Sequence, residues 1–292
     1  MSSVHHNYEK KKKRIRFNGI FYAIISSASF GFSPLFSIGL LAAGLSNFDV
    51  LSYRWGIAGI VLMIYAFAKK KTLRINSFDE GWKIFLLSAL RAITSVTLLI
   101  GYANISSGIA STINFMYPVI VALCMMFIFG VYLLASGDSL IVENGNTKLG
   151  LTCSIISAFS FAAYYILMKR LKADKIEVVK FTTWIMMLSA VYFIICAFVL
   201  EGKLTMVTEV KNWMYILGLG LWSTMISNFT GVKAVRRIGP TLTSILGALQ
   251  PVTAVVLGIL FLHEHLYTRS LIGIILILIA VTVVVMHQNN RQ

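Results

Sequence analysis

Charged residues are scarce in this sequence, and acidic residues are the scarcest. Only 13% of the 292 residues are charged, with 11 Asp and Glu against 26 Lys and Arg. No Asp or Glu lies in the interior of a long apolar run, so membrane-embedded catalytic carboxylates and carboxylate proton relays have no candidates there. The three cysteines, Cys124, Cys153 and Cys196, fall inside apolar runs, which indicates packing and not disulfide bonding.

Apolar residues are abundant instead. They make up 58% of the chain, and the mean hydropathy is +0.80, which is more apolar surface than a soluble domain can cover. Runs of about 20 residues, enough to cross a ~30 Å hydrocarbon core, lie near 18–42, 48–68, 82–103, 149–168, 179–200, 213–232, 240–262 and 270–287, and a further apolar stretch covers 107–136. We therefore expect an all-α integral membrane protein surrounded by a lipid bilayer.

The basic residues are concentrated in alternate connections. Of the 26 Lys and Arg, 20 fall in the N-terminus, the 69–83 and 169–180 connections, the loop at 233–237 and the C-terminus. The positive-inside rule places these segments in the cytoplasm, together with both termini. This explains the net charge of +15, and nucleic-acid binding is not expected.

The two halves of the chain resemble each other. The run at 19–30 returns at 150–161 with small and aromatic residues in the same order. Equivalent loops differ in charge, because the 43–48 connection carries no Lys or Arg while its counterpart at 169–180 is basic. Equivalent loops on opposite sides of the membrane define an inverted repeat, the arrangement of many secondary transporters.

The first half is shorter than such a repeat requires. Inversion needs an odd number of spans in each half, and the second half shows five. Where the second half has the 18 residues 263–280, the first has Gly130 alone. Either 107–136 is one long tilted helix and the charge rule fails locally, or a deletion has left 130–136 as the stub of a fifth span. The sequence favours the deletion.

Several motifs in order resemble a known family. They are the run at 26–34, Tyr53-Arg54-Trp55, Tyr117-Pro118-Val119, Gln250-Pro251-Val252 and Leu262-His263-Glu264. The chain is similar to the ten-span drug/metabolite transporter superfamily in its EamA-like branch. The resemblance implies a 5+5 inverted-repeat bundle of up to ten spans, with a central cavity lined by both halves and export of small metabolites such as amino acids. The fifth and tenth spans are peripheral in that family, so a shortened or missing fifth span concerns assembly more than the cavity.

We divide the chain accordingly into five segments. They are a basic cytoplasmic N-terminus (1–16), a first transmembrane repeat (17–136, truncated near 130), a loop (137–148), a second transmembrane repeat (149–287) and a cytoplasmic tail (288–292). The expected location is a bacterial inner membrane. No cofactor or metal is expected, and the oligomeric state is left open.

Two arginines are the ionisable residues inside the spans. Arg91 lies nine residues beyond Trp82, about 13 Å into the membrane, where a charge costs several kcal/mol unless it is paired or hydrated. It either binds an anionic group of a substrate or is held by carbonyls and hydroxyls of neighbouring helices. Arg54 is expected to extend to the outer rim, or to pair with Glu264 as an outer gate.

Neutral polar and aromatic residues complete the predicted site. A membrane-embedded proline frees the carbonyl four residues earlier, here those of Asn114 and Gly247. The predicted substrate-binding residues are Arg91, Asn114, Tyr117, Asn228, Gln250, Trp184, Phe30, Phe161 and Tyr164, with gating or structural roles for Arg54, Glu264, Pro118 and Pro251. For each aromatic residue, ordinary helix packing is the alternative.

The function expected from these features is secondary transport and not catalysis. The protein would export small organic metabolites by facilitated diffusion or exchange, with alternating access to a site between the halves. A truncated family member without transport activity is the alternative, and an intramembrane enzyme is a weaker one.

Overall fold

The computed structural model describes residues 2–115, 146–247 and 249–262, together with positions 272, 275 and 279. Within these ranges the chain forms helices and no strands. The helices of the first half are α1 (Ser2–Gly31), α2 (Ser33–Ala42), α3 (Asn47–Ala68), α4 (Phe78–Asn104) and α5 (Ser107–Asn114). Those of the second half are α6 (Thr147–Arg170), α7 (Val178–Cys196), α8 (Val210–Leu217), α9 (Ser227–Leu246) and α10 (Leu249–Leu262). The predicted stub at 130–136, and the site residues Tyr117, Pro118 and Glu264, lie outside the described residues.

Some helices are extended by segments of other helical types. A π-helical segment, Ala197–Glu201, continues α7. A second π-helical segment, Gly218–Ile226, joins α8 to α9 as one continuous helix. Gly239, with φ 79°, interrupts the helical conformation inside α9. A short 3₁₀ turn, Ala173–Lys175, follows α6.

Five of the described helices are long and apolar enough to cross a membrane. They cover Arg14–Ala42, Asn47–Ala68, Phe78–Asn104, Thr147–Met168 and Val178–Glu201. Helix α10 is shorter but also apolar. The prediction of an all-α integral membrane protein is confirmed.

Local sequence signals explain where the helices of the first half begin. Ser46 accepts a hydrogen bond from the Asp49 amide at 3.0 Å, and the Asp49 carboxylate accepts one from the Ser46 amide at 3.3 Å. This reciprocal capping box satisfies two amides that would otherwise be unpaired at the start of α3. Ser77 caps α4 by accepting from the Glu80 amide at 3.1 Å.

The packing of the helices follows the two-fold relation of an inverted repeat. Helix α1 of the first half packs against α9 of the second. Their counterparts in the other half, α6 and α4, pack against each other in the same way. Helix α3 packs against its own counterpart α7, and α5 packs against its counterpart α10. Each half therefore builds its core mainly against the other half.

The basic loops of both halves lie at one end of the bundle, which we call the basic end and define by the loops 69–77 and 171–177. The Lys71 ammonium lies 2.9 Å from the Glu177 carboxylate, and this hydrogen bond raises the pKa of Lys71. The Lys180 ammonium lies 2.6 Å from Glu80, and the Trp184 indole donates to the Leu73 carbonyl at 2.8 Å.

The start of α1 and the basic part of α9 also lie at this end. The Tyr22 ring contacts the Lys233 ammonium at 5.2 Å and the Arg237 guanidinium at 4.8 Å. The ring of Phe229, one turn earlier in α9, lies 6.3 Å from that of Tyr65, near the end of α3. Basic segments that are far apart in the sequence are therefore collected at one end.

The loops with few basic residues meet at the opposite end, defined by 43–46 and 202–209. The Thr205 amide donates to the Asp49 carboxylate at 3.0 Å, and the Tyr53 hydroxyl donates to the Thr205 carbonyl at 2.8 Å. The Asn146 amide donates to the Asn104 side chain at 2.8 Å, so α6 begins where α4 ends. Helix α1 thus runs away from the basic end and its counterpart α6 runs towards it. This confirms the inverted repeat.

Candidate functional site

A small cavity of about 40 Å³ lies between the two halves. Its walls come from α1 and α4 of the first half, and from α6, α9 and α10 of the second. Six residues that the sequence predicts for a binding site line this one cavity: Phe30, Arg91, Phe161, Tyr164, Asn228 and Gln250. The cavity extends from Arg91, near the middle of α4, towards the basic end. Tyr164, which also lines it, lies only six residues, about 9 Å, before α6 ends at the basic end.

Arg91 supplies the charge of the cavity, and it is only 3% exposed. Its Nη2 donates to the Asn228 side-chain oxygen at 2.6 Å. Its guanidinium lies over the rings of Phe161, Tyr164 and Trp55, at 4.7, 5.3 and 5.5 Å from their centroids. Cation–π contacts gain strength when the cation is desolvated, so these rings stabilise a charge at membrane depth.

Asn228 is itself held in place by the π-helical segment that precedes it. Its side-chain nitrogen donates to the Thr224 carbonyl at 2.7 Å, and the Thr224 hydroxyl donates to the Leu219 carbonyl at 2.8 Å. Single π-helical turns occur frequently at functional sites, where they displace side chains from regular helical positions. Here the segment fixes the amide that orients Arg91.

Arg54 lies deeper in the protein than the sequence suggests. It is 3% exposed, its Nε donates to the Thr224 hydroxyl at 2.5 Å, and its guanidinium lies 5.6 Å from the Phe30 centroid. The expectation that it extends to the outer rim is wrong, because Thr224 and Phe30 give the cation partners inside the bundle. Its predicted partner Glu264 lies outside the described residues.

Gln250 contributes an unused hydrogen-bond donor to the cavity. The residue is 6% exposed, and its side-chain nitrogen makes no hydrogen bond within the part of the chain that the structure describes. A buried N–H without a partner costs about 1–3 kcal/mol, so a ligand acceptor at this position would be favoured. Pro251, which follows it, is buried at the start of α10.

Two predicted site residues lie elsewhere. Asn114 is buried in α5, where its side-chain oxygen accepts from the Ser157 hydroxyl at 2.8 Å and ties α5 to α6. Trp184 binds the Leu73 carbonyl at the basic end, away from the cavity.

Sequence reasoning missed several residues that line the cavity. They include Ser26, Ser27, Tyr165 and Thr243. Gly247, whose carbonyl was predicted to be free, also lines the cavity, but that carbonyl accepts from the Gln250 amide at 2.9 Å. The Ser26 hydroxyl donates to the Ser227 carbonyl at 2.7 Å, so it joins α1 to α9 beside the cavity. The repetition of small residues in α1 and α6 was the available signal, but it marks close helix contacts in general and not a site.

The electrostatics of the cavity favour an anion. Among the lining residues that the structure describes, Arg91 is the one charged group, and Gln250 and the serines add neutral polar groups. Aromatic rings form the remaining walls. The described lining thus combines one buried cation with neutral polar groups and aromatic rings.

A family comparison identifies the chain. The model of the EamA-like transporter family matches residues 17–136 and again residues 148–286. The chain belongs to the EamA-like transporter family. The second match to the same model agrees with the duplication seen in the sequence, and the predicted resemblance is confirmed.

Two individual proteins are also similar to this EamA-like transporter. Protein PecM of Dickeya dadantii (strain 3937) is 23% identical over 220 residues, which cover 70% of this chain and 73% of PecM. A crystal structure of another protein superposes with a TM-score of 0.66 at 13% identity, over 96% of this chain and 99% of the other. This second likeness shows the fold alone. Membership of the family makes the chain a multi-pass membrane protein that transports small molecules.

Proposed function

We propose that this EamA-like protein exports small organic metabolites with an anionic group, such as amino acids, across a bacterial inner membrane. Both termini would lie in the cytoplasm. The observation that carries the proposal is Arg91, a buried cation in a cavity between the two inverted halves. Beside it lies the side-chain nitrogen of Gln250, which has no hydrogen-bond partner among the described residues. Carboxylates are natural partners for a guanidinium and an amide donor.

The cavity chemistry supports facilitated diffusion or exchange as the mode of transport. Coupling to protons needs a group on the pathway that changes its charge, usually a carboxylate or a histidine. Among the described lining residues there is no Asp, Glu or His.

The size of the cavity supports alternating access. At about 40 Å³ the cavity has room for about three waters, which is too little for an amino acid. We therefore propose that the halves separate for a solute to enter, with rearrangement of contacts at the ends of the bundle.

Flux measurements in liposomes test the proposal. The purified protein is reconstituted, and exchange of labelled amino acids and other small carboxylates is compared with that of uncharged analogues. We expect a preference for carboxylates that falls tenfold or more in Arg91→Gln, since hydrogen bonds to charged groups contribute about 1.5–3 kcal/mol. Arg74→Gln, in the exposed loop at the basic end, is the matched control and keeps the wild-type rate.

The elution profile of each variant in size-exclusion chromatography separates lost binding from lost folding. Arg91→Lys, which retains the charge, should keep part of the flux. Wild-type exchange of carboxylates by folded Arg91→Gln would contradict the role of Arg91. Failure of the wild-type protein to move any solute in the panel would contradict transport of this substrate class.

A further inference from the structure

A second, larger cavity lies at the basic end. It is an open cleft with a volume of about 470 Å³, bordered by the 69–77 loop, the first turns of α4, the 171–177 loop and the start of α7. Its charged lining consists of three carboxylates and four lysines. It is separate from the cavity of Arg91 and shares no lining residue with it.

All three carboxylates of this second cavity already have lysine partners. Asp79 pairs with Lys83 and Glu80 pairs with Lys180. Glu177 pairs with Lys71, which approaches it from outside the lining. The acidic groups are thus neutralised within the protein.

Two lysines of the lining are left without such a partner. In the described part of the chain, Lys172 and Lys175 make no ion pair, and both are exposed. Lys172 immediately precedes the 3₁₀ turn and Lys175 is its last residue, and the Lys175 amide donates to the Lys172 carbonyl at 3.1 Å. Lys172 has a left-handed backbone with φ 54°, and both lysines line the same cavity.

The surface of α4 beside this cavity is apolar and aromatic. Phe78 is 90% exposed, and the exposed rings of Trp82 and Phe85 stack at 5.9 Å. Trp and other aromatic side chains at the end of a membrane helix lie at the level of the lipid headgroups. These three rings are not among the residues that line the cavity, but they belong to the same first turns of α4 as the lining residues Asp79, Glu80 and Lys83. A lipid with its phosphate in the cavity would have this exposed apolar surface available for its acyl chains.

We propose that this cavity binds the phosphate of an anionic phospholipid, with Lys172 and Lys175 as its ligands and the Phe78, Trp82 and Phe85 face of α4 against the acyl chains. Basic pockets between membrane helices are typical binding sites for anionic headgroups. The site joins the connection of the first half to that of the second, so a bound lipid would hold the two halves together at the basic end. The proposal is independent of which solute the protein carries.

Native mass spectrometry of the purified full chain tests the site. The protein is titrated with phosphatidylglycerol and, separately, with phosphatidylethanolamine of the same acyl chains. We expect phosphatidylglycerol to bind more tightly, and Lys172→Gln/Lys175→Gln to weaken it about tenfold or more, because each basic residue contributes appreciably near an anionic lipid. Binding of phosphatidylethanolamine should change little.

Two further variants make the test specific. Lys203→Gln/Lys211→Gln removes the same charge at the opposite end and should bind phosphatidylglycerol as the wild type does. Lys172→Arg/Lys175→Arg keeps the charge and should retain binding, which shows that the loop still folds. Equal affinity for the two lipids, or unchanged binding by the folded Gln variant, would overturn the proposal. Glycerol phosphate that displaces the lipid at equal concentration would identify a water-soluble phosphate ester as the ligand and would also overturn it.

Discussion

The environment of Arg91 reconciles two requirements on a single residue. A guanidinium at membrane depth must be stabilised, yet a site for anions must keep its positive charge. A carboxylate partner would meet the first requirement and cancel the second. The amide oxygen of Asn228 and the ring faces of Phe161, Tyr164 and Trp55 stabilise the cation without neutralising it. These contacts hold the guanidinium in the fold, and its charge is what would attract the anionic ligand that we propose.

Gln250 gives a prediction at the residue level. In Gln250→Met the buried nitrogen without a described partner is removed while the volume is kept, so the free energy of unfolding should stay unchanged or rise by about 1 kcal/mol. Transport should suffer instead, with KM for the best carboxylate raised several-fold. Thermal unfolding in detergent and liposome flux measure the two effects.

Asn114 is the contrasting position for this prediction. It is equally buried and its side-chain nitrogen also has no hydrogen-bond partner among the described residues, but its oxygen accepts from Ser157 and it does not line the cavity. Asn114→Leu should lower the free energy of unfolding by about 1 kcal/mol and leave KM unchanged. If Gln250→Met lost stability and kept its KM, the amide of Gln250 would be structural and would have no role in binding.

Residue type and depth alone allowed much of the cavity to be predicted. Arg91, Asn228 and Gln250 are polar residues in apolar runs, and such residues usually face the interior of a bundle. Aromatic residues carry a weaker signal, because the sequence does not say which side of the helix meets the cavity. Trp184, for example, donates to the Leu73 carbonyl at the basic end and is not among the described lining residues. The partner of Arg54, Thr224, lies 170 positions away in the chain, and no local pattern reveals such a contact.

At the level of elements, the α3–α7 pair is fixed at both ends. Lys71 and Glu177 join the ends of α3 and α7 at the basic end, and Tyr53 and Thr205 join them at the opposite end. The pairs α1–α9 and α4–α6 instead carry most of the cavity lining. We therefore expect the α3–α7 pair to stay together while the other helices move around it.

The buried pair of Lys180 and Glu80 gives a prediction for this element. Their side chains are 6% and 13% exposed, and they join α7 to α4. Removing one partner leaves a buried charge, so Lys180→Met should be strongly destabilising, and the double-mutant cycle with Glu80→Gln should give a coupling of about 2–4 kcal/mol. Unfolding in detergent measures each corner of the cycle.

The control for this cycle is the neighbouring pair of Asp79 and Lys83. It lies four residues apart on α4, and Asp79 is largely exposed, so its coupling should be below about 1 kcal/mol. Equal couplings for the two pairs would show that the Lys180–Glu80 contact does not hold the helices together.

The residues at which helices begin and end were harder to predict than the presence of the helices. The apolar run predicts a helix at 82–103, and α4 covers Phe78–Asn104 because the Ser77 cap adds a polar first turn. The predicted span 240–262 is divided between the end of α9 and α10, with Gly239 before it in a non-helical conformation. Hydropathy records burial in lipid, whereas caps and kinks depend on single polar or glycine residues.

At the scale of the whole molecule, the distribution of basic residues and the duplication of the sequence both indicate two halves in opposite orientations. The structure collects the basic segments of both halves at one end, although the two halves run in opposite directions. The position of the basic segments was predictable, because the positive-inside rule depends on loop sequences and not on tertiary contacts. The size of the cavity was not predictable, because it depends on how side chains pack between the helices.

The orientation of the bundle gives the last prediction, which cysteine labelling in intact bacterial cells tests. The background variant replaces the three native cysteines, Cys124, Cys153 and Cys196, by serine or alanine. Single cysteines are then placed at exposed positions: Thr72→Cys at the basic end, and Lys148→Cys and Lys203→Cys at the opposite end. Because moving a cluster of lysines across the membrane is unfavourable, a membrane-impermeant maleimide should label Lys148→Cys and Lys203→Cys from outside the cell and Thr72→Cys only in inverted vesicles. Thr72 and Lys203 lie in equivalent loops of the two halves, so labelling of Thr72→Cys and Lys203→Cys from the same side would contradict the inverted repeat. Labelling of Thr72→Cys alone from outside would reverse the proposed orientation while leaving the bundle intact.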